Sequence, residues 1–508
     1  MTPLRIAQLV ISASVLVTPY ALAGSDKVGT TFEEVHATRI SAMEKETQAW
    51  YAGGSSEKRS LSEWMRDLRV PGLSIALIDD HKIAWVRAYG VSENSTESLP
   101  LTPRTMLQAA SIAKPVTAVA TLHQVDAGLL SLDVDVNRYL RSWKVPDSDE
   151  AGGVTLRQLL AHTAGITPGG FAGYRRGEPL PTTVQILRGE RPANNVAAKR
   201  VSPIDESVEY SGLGYTVIEL ALSEELGIPF RDLVKSTVFE PLSLIDTQLS
   251  ADLTLGPAEH AAAGHRPNGS VLDGAWMVNP ELAAAGLWTT PGDLARFAIE
   301  IAKAWNGEPT SLLSSQMARE MLKPHRARMG LGFNVRPEQP GWFSHSGGNL
   351  GYRAYFEMDA VSGDGIVVMT NSDVGQLLIA LVTRAVAREY ARDIRPLSEA
   401  TSAGIAEQLS RQDVQRTELI VESKLLKRFI GRYVLQPDMV FEIDMRDGLL
   451  GARLSDQPRF ALKAESETTF YFENVEAQIT FVTDASGDVT GLVLHQGGRD
   501  LHAKRLSD

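Results

Sequence analysis

The 508-residue chain is 43% hydrophobic and 22% charged, with a formal net charge of −12. That balance supports packed cores and excludes a disordered or fibrous chain. The acidity comes without a basic stripe, which argues against nucleic acid or an anionic membrane surface as partner. There is no cysteine, so disulfides, thiolate chemistry and Cys-ligated metals are excluded. No P-loop, dinucleotide fingerprint or His-Glu-x-x-His pattern occurs, and no metal or organic cofactor is expected.

Residues 1–23 carry one charge, Arg5, then an apolar stretch from Ile6 to Val17, then Ala21-Leu22-Ala23 before Gly24. This pattern predicts a cleaved secretory signal peptide and hence a periplasmic or secreted protein, with no membrane attachment after cleavage. Its apolar run is shorter than the roughly 20 residues that a spanning helix needs. Removing Arg5 with the signal takes the formal charge from −12 to −13.

A polar, helical lead is expected from Thr31 to Arg69. Two β-prone runs, Leu73–Ile78 and Ile83–Tyr89, flank the polar turn Asp79-Asp80-His81-Lys82 and predict a hairpin. Apolar spacing at Val116, Val119, Leu122 and Val125 predicts a helix over Ser111–Gly128, with Pro115 tolerated in its first turn. Further helices are predicted at Leu156–His162 and Tyr215–Leu226. Another starts at Thr290-Pro291-Gly292-Asp293, with Thr290 as N-cap and proline at the first helical position, and runs to about Ala304.

From Gly330 the pattern turns to strands, at Gly330–Val335, Gly341–Ser344, Ala354–Asp359 and Gly365–Asn371, before a last helix at Val374–Tyr390. Strands from both ends of this region with helices between them predict an α+β domain over 24–395, an antiparallel sheet flanked by helices with an α-rich subdomain. Residues 396–418 read as a polar linker. In 419–508, eight short strands follow one another between Gly431 and Lys504, with turns at Asp447-Gly448 and Ser486-Gly487-Asp488. They predict a small all-β barrel or sandwich.

Ser111-Ile112-Ala113-Lys114 sets a hydroxyl and an amine on one helix face. A desolvated lysine can take a proton from such a serine, which makes Ser111 a candidate nucleophile. Alone, S-x-x-K occurs by chance on solvated helices. Three further motifs accompany it in order: His162-Thr163-Ala164-Gly165, Tyr210-Ser211-Gly212 and His345-Ser346-Gly347-Gly348. Each has a plainer explanation taken singly. Tyr210 could be a half-buried aromatic at a helix start, and His345 a satisfied core histidine. His162 and Asn371 read as structural residues, and Trp85, Trp288 and Phe297 as core.

Together the ordered motifs resemble the serine β-lactamase and D,D-peptidase superfamily over roughly residues 60 to 390. The likeness is strongest to its class C-like branch of esterases, D-aminopeptidases and D-Ala-D-Ala carboxypeptidases. The resemblance implies a β-lactamase/transpeptidase-like fold and an acyl-enzyme on Ser111. Lys114 or Tyr210 would serve as base, and Tyr210 would carry the proton to the leaving group. It places the oxyanion donors on the backbone of Ser111 and Gly348 and gives His345, Ser346 and Gly347 a substrate-binding role. His345 stands where true β-lactamases have lysine, and Gly212 where many relatives have asparagine. Both departures favour esters or D-amino-acid amides and peptides over β-lactams.

The C-terminal unit resembles the lipocalin-like barrels appended to some members. Its role reads equally as a cover for the active-site mouth or as a stability and assembly module. The expected partner is a small-molecule or peptide substrate. The competing class is a β-lactam or cell-wall-peptide sensor, penicillin-binding-protein-like, that acylates without efficient turnover.

Overall fold

The computed structural model describes residues 32–506 apart from 51–55, 94, 96–97, 147–152, 254–260, 393–396, 411–418, 437–438, 447, 456, 458, 473–476, 485 and 497–498. The expected signal segment, Pro396 and Asp447 lie outside the described residues.

The lead is not one helix. It is α1 (Phe32–Lys45), an antiparallel hairpin of β1 (Thr47–Trp50) and β2 (Ser56–Arg59), and α2 (Leu61–Asp67). Ser60 and Glu63 close a capping box at the start of α2, which restarts the helix after the hairpin. The expected hairpin follows as β3 (Gly72–Asp79) and β4 (Lys82–Gly90). Next come β5 (Leu107–Ala110), α3 (Ala113–Asp126), α4 (Leu156–Leu160), α5 (Thr183–Arg188), α6 (Gly212–Leu226) and α7 (Phe230–Val234). Then β6 (Gln248–Leu249), α8 (Leu282–Ala285), β7 (Leu287–Thr289), α9 (Pro291–Asn306) and α10 (Ser315–Leu322) complete the middle of the chain. Thr290 caps α9 as expected, its side chain accepting from the Asp293 amide, with Pro291 beside it.

The late strands are β8 (Asn334–Val335), β9 (Trp342–Asn349), β10 (Tyr352–Asp359) and β11 (Asp364–Thr370), followed by α11 (Gly375–Glu389). Of the strand expected over 330–335, only the last two residues pair. Gly332 has φ +85, and a Cβ there would meet Ala118 Cβ at 2.4 Å, so the chain turns against α3 before it can extend.

One antiparallel sheet, in the order β4-β3-β11-β10-β9-β8, joins strands from both ends of this region. Seven of the eight β3 residues are buried, whereas in β4 only Trp85 is. Each fully buried Leu or Ile contributes about 1.5–3 kcal/mol, which makes β3 a central strand and β4 an edge. Leu73, Ile75 and Leu77 face a core shared with the buried Trp64 of α2 and Leu381 of α11, while Ala76 and Ile78 face the larger core that holds α3, α6 and α9. A second small sheet, β5-β7-β6, lies on the α-rich side.

The stretch expected as a polar linker contains α12 (Glu399–Ser410). Its Ile405 is fully buried, and Gln408 Nε2 donates to the carbonyls of Leu68 (3.0 Å) and Pro267 (2.7 Å). Polar composition hid this helix because it buries only Ile405 and Gln408, with Leu409 packed at the margin of the core.

After α13 (Ser423–Leu426), the strands β12 (Gly431–Gln436), β13 (Met439–Arg446), β14 (Leu449–Leu454), β15 (Phe460–Ala464), β16 (Thr469–Phe472), β17 (Ala477–Thr483), β18 (Val489–Gln496) and β19 (Arg499–Arg505) form a closed barrel. Each strand pairs with the next, and β12 pairs with β19, which leaves no free edge. Alternate residues such as Phe441, Ile443, Ile479 and Phe481 fill the interior.

Candidate active site

Ser111 stands at the turn between β5 and α3, and the backbone there is strained. Ala110 has φ +51, left-handed for a residue with a Cβ, at a register shift between β5 and β7. Such a conformation costs on the order of 1–3 kcal/mol and persists where neighbours over-determine it. Here it swings the chain out of the sheet so that the next side chain leads into α3.

One turn on, Lys114 is 2% exposed, and its Nζ donates to Ser111 Oγ (3.2 Å) and to the carbonyl of Ala284 (2.9 Å). The Tyr210 ring, from the start of α6, lies 4.8 Å from the same nitrogen, with the Tyr215 ring at 5.7 Å. Sequence positions 111, 114 and 210 therefore meet. The contact of Tyr210 with the amine is through its ring face. Among the described residues its hydroxyl has no hydrogen bond to Ser111 or Lys114, and catalytic bonds of this kind tighten when substrate enters. Tyr210 is 37% exposed, so its edge remains open to an incoming molecule.

β9 closes the other side. A Cβ on Gly347 would lie 2.0 Å from the carbonyl of Ala109 and 3.3 Å from the Ser111 amide nitrogen, so only glycine lets this strand approach the nucleophile segment. The strand alternates: His345 and Gly347 are turned inward, Ser346 and Gly348 are exposed. The His345 ring centroid is 6.4 Å from that of Tyr210, and its Nδ1 is 2.6 Å from the Ser346 carbonyl.

His162, expected as a structural residue, turns out to hold Tyr210. Its Nδ1 accepts the Ser211 N–H (3.1 Å), its carbonyl accepts the Glu209 N–H (2.8 Å), and its ring packs 4.5 Å from the Tyr210 ring. Because Nδ1 accepts, the neutral ring carries its proton on Nε2. The signal that could have found this role is its place beside Thr163-Ala164-Gly165 after an apolar helix. Asn371 is a bend residue directly after β11, as expected of a structural position, and it is buried, with its Nδ2 donating to the carbonyls of Val91 and Ser92. Trp85, Trp288 and Phe297 are core as expected.

Gly212 also has a steric reason. A Cβ there would meet the Phe171 ring at 2.6 Å and the Gly169 carbonyl at 3.1 Å. The loop 165–171 runs beside Tyr210, with the Gly169 amide donating to the Tyr210 carbonyl and the Gly212 amide to that of Gly169. An aromatic ring thus fills the space that a side chain at 212 would enter.

Two acids missed by sequence reasoning lie beneath the site. Glu219, in the apolar stretch of α6, accepts the Ala283 N–H (2.9 Å) and the Thr183 hydroxyl (3.4 Å). Glu281 is wholly buried, and neither of its oxygens has a hydrogen-bond partner. A glutamate within Leu213–Leu222 was the available signal, since an acid there must be buried with the helix face.

These groups tilt stability in opposite directions with pH. Burial first, then the charge of Lys114, holds His345 down at about 3. Burial, with Lys114 and His345, holds His162 well below its ordinary 6.5. Burial pushes Glu219 up to about 7 and Glu281 up to about 8, from an ordinary 4.5. As pH falls below 6.5 the unfolded chain binds protons that the folded histidines refuse, so stability drops. As pH rises from 4.5 towards 8 the folded carboxyls keep protons that the unfolded chain has released, so stability drops there too. From these groups a stability maximum between about pH 5 and 6.5 is expected. Glu281→Gln should flatten the decline above it, read as thermal midpoints from pH 4 to 9. A wild-type midpoint that climbs steadily to pH 9 would contradict this.

Comparison with known proteins agrees with the geometry. Residues 58–387 match the family described as Beta-lactamase. The chain belongs to that family. Residues 415–505 match a domain of unknown function, DUF3471, which takes in all eight strands of the closed barrel. Penicillin-binding protein 4* of Bacillus subtilis is 22% identical over 444 residues, covering 83% of this chain and 92% of the relative. Among solved structures, an octameric penicillin-binding protein homologue from Pyrococcus abyssi superposes with a TM-score of 0.54 at 20% identity, over 87% of this chain and 98% of that one. A D-amino acid amidase from Ochrobactrum anthropi gives 0.52 at 21% identity, over 65% and 99%. The family match and these structural likenesses establish the β-lactamase family and its fold for this chain. Among the described residues, no cluster of three His, Cys, Asp or Glu side chains could hold a metal, and no helix is long and apolar enough to cross a membrane.

Proposed function

We propose that this chain is an exported serine hydrolase that cleaves a small carboxylic ester or D-amino-acid amide through an acyl-enzyme on Ser111. The observation that carries the reading is the buried Lys114 amine, 3.2 Å from Ser111 Oγ and facing the Tyr210 ring. Ser111 Oγ adds to the substrate carbonyl and its proton passes to Lys114 or Tyr210. The C–O or C–N bond to the leaving group breaks, the leaving group takes that proton, and the acyl group stays on Ser111. Water then adds to the acyl carbon, giving one proton back to Ser111 Oγ as the acid departs. The backbone amides of Ser111 and Gly348 are the donors assigned to the oxyanion.

Two features favour esters and D-amino-acid amides over β-lactams. His345, held at about 3 by burial, is uncharged near neutral pH and offers no fixed cation to a β-lactam carboxylate. At position 212 there is no side-chain amide, and the Phe171 ring fills that space. The D-amino acid amidase neighbour supports the amide alternative as a likeness of fold. The apolar stretch Ile6–Val17 followed by Ala21-Leu22-Ala23 supports export.

The test is a substrate panel on purified protein: p-nitrophenyl esters, D-amino-acid p-nitroanilides and a chromogenic cephalosporin. Steady turnover is expected on one of the first two sets, with the cephalosporin slowest. A burst of one equivalent without turnover on any of them would instead identify a sensor that acylates and stops. Efficient cephalosporin hydrolysis would overturn the substrate preference.

A further inference from the structure

The helix α8 is only Leu-Ala-Ala-Ala, with no polar side chain to fix it, yet its backbone ties three catalytic elements together. Thr117 of α3 donates to the Ala283 carbonyl (3.0 Å), Lys114 to that of Ala284 (2.9 Å), and Asn349 of β9 to that of Ala285 (3.2 Å). Asn349 also donates to Gln108 Oε1 (2.7 Å), on the strand leading to Ser111. On the amide side, Glu219 of α6 accepts from Ala283 at 2.9 Å. A carboxyl buried on an otherwise apolar helix face is costly. This one discharges the cost on a backbone amide one residue before the carbonyl that receives Lys114.

We propose that Glu219 is a positioning residue for Lys114: by gripping the Ala283 amide it fixes the Ala284 carbonyl, which aims the amine at Ser111 Oγ. Among the described residues the Glu219 carboxyl accepts hydrogen bonds from Thr183 and Ala283 and makes none with Ser111 or Lys114. Lys114 Nζ has three directions besides its own stem: the Ala284 carbonyl lies along one, Ser111 Oγ along another, and the Tyr210 ring covers a third side. If the carbonyl drifts, the amine loses its line to the hydroxyl, and a displacement of about 1 Å in such a constellation costs on the order of 10²-fold. The inference rests on Ser111 and Lys114 being the reacting pair.

The experiment compares Glu219→Ala with Glu219→Gln on the best ester or amide, with turnover expressed per active site titrated by a fluorophosphonate. Glu219→Ala is expected to lower kcat by about 10–10²-fold with KM within about threefold of wild type. Glu219→Gln keeps an oxygen for the Ala283 amide and should recover most of kcat. A merely structural role would lower the thermal midpoint and the titratable fraction in both variants and leave kcat per site unchanged. That result, or a glutamine variant as slow as the alanine one, overturns the proposal. Should Glu219→Ala fail to fold, Thr117→Val cuts the adjacent tether to Ala283; a similar kcat loss sustains the proposal and wild-type kcat overturns it. Labelling of Ser111 reports separately on the acyl-enzyme reading, so either idea can fail without the other.

Discussion

Ser111→Ala is expected to lower turnover of the best ester or amide by on the order of 10⁴–10⁶-fold, because the acyl-enzyme cannot form without the hydroxyl and the remaining groups only bind and polarise. At about 1.4 kcal/mol per decade, that is roughly 5–8 kcal/mol of transition-state stabilisation. Folding should barely notice. The variant loses one hydrogen bond from Lys114, which keeps its bond to the Ala284 carbonyl, at a net cost of about 0.5–1.5 kcal/mol. Intact mass after fluorophosphonate treatment should show one adduct on wild type and none on the variant. An adduct that persists, or turnover within tenfold of wild type, would move the nucleophile elsewhere.

Lys114→Met should separate catalysis from stability. Removing the proton acceptor is expected to cost on the order of 10²–10⁴-fold in kcat. The stability balance has two opposed terms. The Ala284 carbonyl loses its lysine donor, worth about 1–3 kcal/mol if it stays dry. Against this, an amine that is 2% exposed no longer has to be desolvated, a penalty of about 2–7 kcal/mol for a polar group taken into apolar surroundings. The second term is the larger, so the thermal midpoint should hold or rise while activity collapses. Lys114→Arg keeps a cation that does not give up its proton and should be as inactive as the methionine variant. An active arginine variant would show that the position needs charge rather than a base. A methionine variant that retains activity would leave Tyr210 as sole base.

Much of the fold was legible because it rests on local pattern. The β3–β4 hairpin, α9 with its Thr290 cap, and the eight barrel strands each carry their own periodicity or turn chemistry within a few residues. The lead and the region before α13 were misread for the opposite reason. The β1–β2 hairpin is short and polar, and α12 buries chiefly Ile405 and Gln408, so neither imprints a period on the chain. In the site, the ordered motifs singled out Ser111, Lys114, Tyr210 and the strand from His345 to Gly348. They did not reveal His162 holding Tyr210, Phe171 occupying the space beside Gly212, or Glu219 gripping α8.

By itself the sequence determined the kinds of chemistry available: a hydroxyl and an amine one turn apart, a phenol and a glycine-rich strand far along the chain, and no thiol. Only the tertiary structure decided that these meet, because their encounter depends on strands from both ends of the domain sharing one sheet, and on Gly347 letting β9 approach the Ala109 carbonyl. It also decided which acids are buried and which histidines stay neutral. Those properties come from desolvation and neighbouring charge, which depend on what surrounds a residue in space and leave no trace in its position along the chain.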